Sequence, residues 1–386
     1  MNTRSLFYHH LGQTSAFPLA LEIERASGIY MWGADGKQYI DLISGIAVSN
    51  VGHCHPKVVE AVQEQAARYM HLMVYGEFVQ APQVHLAKVL VDHLPANLDN
   101  VYFVNSGSEA VEGAMKLAKR HTGRFEMIAF RNSYHGSTQG SLSLMGDETM
   151  KNAFRPLLPG IKHVEYNDLS ALGVINSSTA CVIMETIQGE AGAIVPDAGF
   201  VKAVYDKCKQ TGALLILDEI QSGYGRTGTM WAFEQYGIAP DILTIAKGMG
   251  GGMPIGAFVT SKEIMHSLSH DPVLGHITTF GGNAVCAAAA LATIEVVLEN
   301  KLWEKALILE KIVRETLIHP KIKSIRGKGL MLAVELASFA ENKKVVDMLI
   351  ARGILTDWFL FAPHCLRIAP PLIITEDQLI YSCKVI

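Results

Sequence analysis

Between residues 101 and 260, short apolar runs alternate with segments of helical periodicity. The apolar runs are VYFVN (101–105), FEMIAF (125–130), ACVIME (180–185), ALLILD (213–218), DILTIA (241–246) and GAFVT (256–260). Helical patterns such as SEAVEGAMKLAKRH (108–121) and FVKAVYDKCKQT (200–211) lie between them. Strands that are apolar along their whole length are buried on both faces, which is typical of parallel sheets covered by helices. The sequence therefore predicts an α/β fold whose large domain has a mostly parallel sheet flanked by helices.

The pattern changes near residue 283. Two helical stretches, a strand-like run, a third helix and a second apolar segment follow, at 283–299, 301–318, 329–336, 343–352 and 366–374. This order predicts a second, smaller α+β domain. A predicted β-hairpin (29–42), with Asp35-Gly36 as its turn, has no obvious place in the central sheet. We therefore predict an N-terminal segment (1–48) that packs with the small domain, a large domain (49–282) and a C-terminal small domain (283–386).

Composition excludes several classes of protein. The chain has 386 residues, is 49% hydrophobic and 18% charged, and has a formal net charge of −4 without a long basic run, so we expect no nucleic-acid partner. Its six cysteines are scattered without CxxC spacing, which favours a reduced, cytoplasmic protein. The start, MNTRSLFYHH, lacks the apolar core of a signal peptide. The longest apolar run (284–294) is too short for a membrane span, so we expect no membrane association.

Ligands of open α/β sheets bind outside the carboxyl ends of the strands, so the residues that follow each apolar run are informative. Ser106-Gly107-Ser108 follows the first run and opens a helix. Backbone N–H groups and hydroxyls at a helix N-terminus suit a phosphate. An ordinary serine N-cap explains the same residues without a ligand.

Two charged side chains follow two later runs. Asp218 ends ALLILD, and a buried acid needs a partner, such as a protonated heterocyclic nitrogen, an arginine or a helix cap. Lys247 ends DILTIA and precedes Gly248 and Gly250-Gly251-Gly252. A desolvated lysine forms Schiff bases, although a lysine that snorkels to solvent would give the same pattern. Together, a phosphate cradle, a buried acid and a buried lysine meet the needs of pyridoxal 5′-phosphate, whose phosphate, ring nitrogen and aldehyde require these groups.

Two other motifs are weaker. Residues 223–228 fit the G-x-G-x-x-G dinucleotide pattern, but Asp218 to Ser222 separate them from the strand, so we do not predict a dinucleotide site. His53-Cys54-His55 lacks a matched acid or a third ligand in sequence reach, so we predict loop packing there and no metal.

Several longer motifs extend almost from end to end of the chain. They are GIAVSNVGHCHP (45–56), NSGSEAVEGAMKLAKR (105–120), SYHG (133–136), ETIQGEAG (185–192), LDEIQSGYGRTG (217–228), PDILTIAKGMGGGMPIGA (240–257), TTFGGN (278–283) and LRIAPPL (366–372). As a set, they resemble the class III (ornithine and ω-amino-acid) aminotransferases of the fold-type I pyridoxal-phosphate enzymes.

The resemblance implies a role for each matching residue. Lys247 would bind the cofactor covalently and move a proton between the substrate's Cα and the cofactor's C4′, and Asp218 would pair with the ring nitrogen. The remaining cofactor-binding residues would be Ser106, Gly107 and Ser108 at the phosphate, Tyr134 and His135 at the ring, Gln221 near the phenolic oxygen, and Thr279. Thr279 would reach the phosphate in the other subunit, which implies a homodimer with shared active sites.

The resemblance also implies substrates: an acetylornithine- or ornithine-type donor, as in arginine biosynthesis, with 2-oxoglutarate as acceptor. Arg367 fits the arginine that binds the acceptor's carboxylate, and Glu190 fits the glutamate that pairs with this arginine when the donor is bound. Ser137, however, occupies a position where these enzymes usually carry an arginine for a second carboxylate. This departure keeps open a GABA, β-amino-acid or ω-amine transaminase, including one that uses pyruvate as acceptor, and the scaffold also allows an aminomutase or racemase.

Overall fold

The computed structural model describes residues 2–74 and 76–386. Its strands are β1 (Ile23–Ser27), β2 (Tyr30–Gly33), β3 (Gln38–Asp41), β4 (Asn100–Val104), β5 (Glu126–Phe130), β6 (Ile161–Val164), β7 (Thr179–Glu185), β8 (Leu214–Asp218), β9 (Ile242–Ile245), β10 (Gly256–Thr260), β11 (Ser324–Lys328), β12 (Met331–Glu335), β13 (Ile354–Leu355) and β14 (Cys365–Ile368). Its helices are α1 (Thr3–His10), α2 (Ser44–Ala47), α3 (Pro56–Arg68), α4 (Ala81–Asp92), α5 (Gly107–Thr122), α6 (Gln139–Leu144), α7 (Glu148–Lys151), α8 (Phe200–Thr211), α9 (Lys262–Met265), α10 (Ala284–Glu299), α11 (Leu302–Thr316), α12 (Phe339–Ala351) and α13 (Glu376–Val385).

The central sheet of the described chain has seven strands in the order β4-β10-β9-β8-β7-β5-β6. Strand β10 is antiparallel to both β4 and β9, and the other neighbours are parallel. The predicted mostly parallel sheet is therefore confirmed. Because β10 runs in the opposite direction, its first residue lies at the same edge of the sheet as the carboxyl ends of the parallel strands.

Both faces of this sheet are covered, as the uninterrupted apolar runs predict. Every residue of β7 is buried. Cys181 and Ile183 pack in one apolar cluster with side chains of α5, whereas Val182 and Met184 pack in another with side chains of α8. Alternate residues of one strand thus enter two cores, which is why β7 tolerates almost no polar residue before its last position.

The remaining strands form two smaller sheets. The predicted hairpin is confirmed as β2 and β3, and β3 continues the sheet by pairing in parallel with β13, through Ile40 and Ile354. The other sheet has the order β11-β12-β14. This pairing joins the N-terminal segment to the C-terminal part of the chain, and the division into domains with boundaries at residues 48 and 282 stays a prediction. Among the helices that the structure describes, none combines the length and apolar character of a membrane span.

Helix α2 is a single left-handed turn. Ser44, Ile46 and Ala47 have φ values of 48°, 62° and 60°, a conformation that costs about 1–2 kcal/mol for each residue with a side chain. The Asp41 carboxylate compensates by accepting hydrogen bonds from the N–H groups of residues 43 and 44, both at 2.8 Å. The turn delivers Val48 to the wall of the cavity described below.

Candidate active site

A cavity of about 370 Å³ lies where the parallel strands end. The lining includes residues that directly follow β4, β8 and β9, together with the residues that lead into β10. Eight side chains or backbone segments predicted from the sequence come together there: Ser106, Gly107, Ser108, Tyr134, His135, Asp218, Gln221 and Lys247. The strand order therefore converts residues separated by up to 141 positions (247 − 106) into one site.

Lys247 is the second residue after the end of β9 and has a left-handed φ of 46°. Burial lowers the pKa of its ammonium group, and the carboxylates of Glu190 and Asp218 oppose this shift. A lowered pKa leaves a larger share of the amine unprotonated, and the neutral amine is the nucleophilic form.

The glycines after Lys247 allow its loop to pack tightly. A side chain at Gly251 would overlap Thr293 on α10, and one at Gly248 would lie 2.6 Å from Nδ2 of Asn50. Only glycine fits such close approaches without displacing the neighbours. Close packing of this loop against Asn50 and Thr293 therefore fixes the backbone next to Lys247.

Asp218 and His135 form a buried pair. Nδ1 of His135 lies 2.7 Å from Oδ2 of Asp218, and Oδ1 of Asp218 accepts a hydrogen bond from the N–H of Ile220 at 3.0 Å. Nε2 of His135 is buried and has no hydrogen-bond partner among the described residues. The histidine thus fixes the orientation of the carboxylate that borders the cavity.

The start of α5 forms the other end of the cavity. Ser106 caps this 16-residue helix by accepting a hydrogen bond from the N–H of Glu109 at 3.2 Å, so the ordinary capping role is present. A side chain at Gly136 would overlap Oγ of Ser108, which explains the small residue there. The first turn of the helix and Ser108 border the cavity, and the N–H groups and the hydroxyl found there suit a phosphate.

The sequence analysis missed Glu185, the last residue of β7. It lies beside Asp218 in the sheet and accepts hydrogen bonds from the N–H groups of Tyr134 (2.9 Å) and Gly189 (2.8 Å). Burial raises the pKa of Glu185 to about 7, and Asp218 adds to this while His135 opposes it. An acid at the end of a buried strand was the signal used for Asp218, and it applies equally to Glu185.

Glu190 and Arg367 form a buried ion pair next to the cavity. Nη2 of Arg367 lies 3.1 Å from Oε2 of Glu190, and Nη1 lies 3.2 Å from Oε1. Nε2 of Gln221, which lines the cavity, lies 3.4 Å from Oε1 of Glu190. Burial alone would raise the pKa of Glu190, but the guanidinium group outweighs it and the pKa is lowered. Both groups therefore stay charged and connect to the cavity through Gln221.

The two remaining predicted residues, Ser137 and Thr279, are not among those that line the cavity. Oγ of the exposed Ser137 is 2.9 Å from the phenolic oxygen of Tyr134. Thr279 is exposed and is not among the residues that line the cavity within this subunit. Its assignment to the partner's site stays a prediction.

The arrangement fits pyridoxal phosphate. It has an amine with a lowered pKa, an oriented buried carboxylate and a helix N-terminus, all around one cavity. Residues 223–228, in contrast, lie in turns after β8 and do not form a strand–turn–helix phosphate loop. Nε2 of His53 donates a hydrogen bond to the carboxylate oxygen Oδ2 of Asp41 at 2.8 Å. Within the described ranges, no group of three or more candidate ligands could hold a metal ion.

Comparison with known proteins identifies the family of the chain. A family model described as class III aminotransferase matches residues 12–386. The acetylornithine aminotransferase of Methanopyrus kandleri is 40% identical over 385 residues, which cover 98% of this chain and 96% of that protein. The acetylornithine aminotransferase of Mycobacterium bovis is 43% identical over 368 residues, which cover 94% of this chain and 89% of that protein.

Solved structures of two aminotransferases have the same fold. The ornithine aminotransferase from Toxoplasma gondii, whose active site holds pyridoxal phosphate at partial occupancy, superposes with a TM-score of 0.92 at 30% identity, over 99% of this chain and 91% of that one. An (S)-enantioselective omega-transaminase from Thermomicrobium roseum superposes with a TM-score of 0.91 at 30% identity, over 99% of this chain and 96% of that one.

Proposed function

The chain belongs to the class III aminotransferases, and we propose that it transfers the terminal amino group of an acetylornithine- or ornithine-type donor to 2-oxoglutarate. The family implies pyridoxal phosphate as cofactor. The names of the relatives, acetylornithine aminotransferase at 39–43% identity, support the donor. The described cysteines are all free, which supports the predicted cytoplasmic location.

Each residue around the cavity has a separate role in the proposed reaction. When bound, pyridoxal phosphate supplies a carbon that takes up the amino group and a ring that accepts an electron pair. Lys247 would hold the cofactor and would carry a proton to and from the substrate carbon. Asp218, oriented by His135, would keep the ring nitrogen protonated, while the turn at residues 106–108, which lines the cavity, would hold the phosphate.

The observation that carries the assignment of the acceptor is the Glu190–Arg367 ion pair. A transaminase binds two substrates in turn at one site, and here they carry different groups at the same position. When Glu190 pairs with Arg367, this part of the site has no net charge and suits the uncharged methylene next to a terminal amine. With Glu190 displaced, the guanidinium group offers two parallel N–H donors to the α-carboxylate of 2-oxoglutarate. The pair therefore lets one site accept both substrates.

A homodimer completes the proposal. Large apolar side chains are exposed near the loop that carries Thr279; they include Met70, Phe78 and Phe280. Burial of such side chains against a second copy would remove them from water and bring Thr279 towards the partner's cavity.

Ser137 supports a second candidate, an ω-amine transaminase that uses pyruvate. In this position, a neutral hydroxyl cannot form an ion pair with a carboxylate at the far end of a donor. A donor that lacks this carboxylate does not need such an ion pair. The effect of that carboxylate on the reaction rate therefore distinguishes the two candidates.

Initial rates for a matrix of donors and acceptors test the proposal. N-acetylornithine and ornithine should react with 2-oxoglutarate faster than with pyruvate. Arg367→Ala should raise the KM for 2-oxoglutarate roughly tenfold or more, because a charge-assisted bidentate contact is lost. Equal rates with pyruvate, or an unchanged KM in Arg367→Ala, would favour the second candidate.

A further inference from the structure

A second carboxylate holds Arg367 on the side away from Glu190. Nε of Arg367 donates a hydrogen bond to Oδ1 of Asp357 at 2.7 Å, which is the shortest contact of this guanidinium group. The Arg367 side chain is only 2% exposed, whereas that of Asp357 is 25% exposed. The guanidinium group therefore lies between two acids. In the proposed reaction, only Glu190 moves away from it.

The backbone fixes the position of Asp357. The segment before β14 runs antiparallel to it, with a bridge between Trp358 and Leu366. The N–H of Arg367 donates to the carbonyl oxygen of Asp357 at 3.0 Å, and Thr356 Oγ1 donates to the carbonyl oxygen of Arg367 at 2.6 Å. The backbone of Asp357 is thus held opposite Arg367 by the pairing of this segment with β14.

The same segment also supports the other member of the pair. The ring of Phe359 lies under the guanidinium group, with 4.2 Å between the ring centroid and Cζ of Arg367. The N–H of Leu360 donates to Oε2 of Glu190 at 3.1 Å, and the N–H of Phe361 donates to its carbonyl oxygen. Residues 357–361 therefore set the resting geometry of both charged groups.

We propose that Asp357 is a positioning residue for the acceptor: it fixes the Nη edge of Arg367 towards the site and remains as counter-ion when Glu190 leaves. The inference rests on the proposed function, in which the carboxylate of the acceptor replaces Glu190. A buried cation that loses its only partner is strongly destabilised. Because Asp357 stays at Nε, displacement of Glu190 never leaves Arg367 without a carboxylate, and the guanidinium group cannot turn to follow Glu190.

Binding of glutarate to the cofactor-loaded enzyme, measured by calorimetry, tests this without turnover. Glutarate has the carbon chain and both carboxylates of 2-oxoglutarate but no keto group to react. Asp357→Ala should weaken glutarate binding about tenfold, which corresponds to the loss of one charge-assisted hydrogen bond that orients the guanidinium group. Asp357→Asn retains an oxygen acceptor for Nε but not the negative charge, and should recover part of this loss.

Kinetics separate positioning from a general structural role. In Asp357→Ala, the KM for 2-oxoglutarate should rise in parallel with the Kd for glutarate, while the single-turnover rate with the amino donor changes less than about twofold. Asp347→Ala is the matched control, because Asp347 is an exposed aspartate of α12 that pairs with Lys343. It should behave like the wild type in every assay.

Arg367→Ala keeps the two possible failures apart. If Arg367→Ala leaves glutarate binding unchanged, the proposed function is wrong in its acceptor. If Arg367→Ala weakens glutarate binding but Asp357→Ala does not, only the role of Asp357 is overturned. An equal loss in both half-reactions of Asp357→Ala, or no recovery in Asp357→Asn, would also overturn the positioning role.

Discussion

His135 holds Asp218 through a 2.7 Å contact between Nδ1 and Oδ2, with both side chains almost fully buried. The backbone N–H of Ile220 binds the other carboxylate oxygen. These two contacts fix the direction of the carboxylate. This pair prepares one side of the cavity for a protonated ring nitrogen.

Asp218→Asn should therefore retain the cofactor but lose most of its turnover. The amide has the same shape as the carboxylate but cannot stabilise a positive ring nitrogen, so we expect kcat to fall about 100-fold or more. The measurement is kcat together with the cofactor content after dialysis. Asp206→Asn, an exposed substitution on α8, is the control. Wild-type turnover in Asp218→Asn would show that the pair has no part in the reaction.

Ser137→Arg tests which donor the site is built for. An added guanidinium group next to Tyr134 can bind the far carboxylate of N-acetylornithine, and we expect its KM to fall about tenfold. The KM for pentylamine, which has no carboxylate, should not fall. Ser137→Gln supplies a long side chain without charge and should leave both KM values near those of the wild type. An unchanged KM for N-acetylornithine in Ser137→Arg would mean that its carboxylate lies elsewhere.

Subunit mixing tests whether Thr279 serves the partner's site. Lys247→Ala and Thr279→Asp should each be nearly inactive, the second because a carboxylate repels the phosphate. In a heterodimer of the two variants, one of the two shared sites would have both Lys247 and Thr279 intact, and the other would carry both substitutions. Half of the randomly mixed dimers are such heterodimers. Random mixing should therefore restore about a quarter of wild-type activity. No recovery would place Thr279 in the same site as the Lys247 of its own subunit.

His163 predicts a loss of stability in acid. Burial, and then the nearby Lys151 ammonium group, lower the pKa of His163 from 6.5 to about 4. The folded protein therefore binds this proton less readily than the unfolded chain does. The stabilising contribution is complete above pH 6.5 and is lost as the pH falls through 4.

The test compares thermal unfolding of the wild type and His163→Gln at several pH values across this range. The variant should lose less of its Tm between the upper and lower ends. His319→Gln, at an exposed position, should retain the pH dependence of the wild type. Parallel curves for the wild type and His163→Gln would contradict this assignment of the acid sensitivity.

Apolar runs made the central sheet and its site predictable, because they locate the strand ends and strand ends hold the ligand. This reasoning found Asp218 and Lys247 from sequence alone. Strand β6 was missed because Lys162 and His163 interrupt its apolar pattern, which an edge position in the sheet permits. The predicted start of α12 at residue 343 was late, although Ser338 caps the helix through the N–H of Glu341, a signal that S-x-x-E in the sequence does contain.

Asp357 shows what local patterns do not contain. It lies ten residues from Arg367 (367 − 357), in a segment without regular periodicity, and only main-chain pairing beside β14 brings the two side chains together. The charge of the Glu190–Arg367 site therefore depends on a tertiary contact. The sequence predicted Glu190 and Arg367 but not Asp357.

The most direct test of the proposed function follows the visible absorption of the cofactor-loaded protein as single amino donors are added. N-acetylornithine or ornithine should remove the absorption band of the lysine-bound cofactor, and 2-oxoglutarate should then restore it. This result would show that the ornithine-type donor and the dicarboxylate acceptor use the same site in turn. If only GABA, β-alanine or other ω-amines remove the band, or if pyruvate and not 2-oxoglutarate restores it, the central claim is wrong and the ω-amine transaminase takes its place.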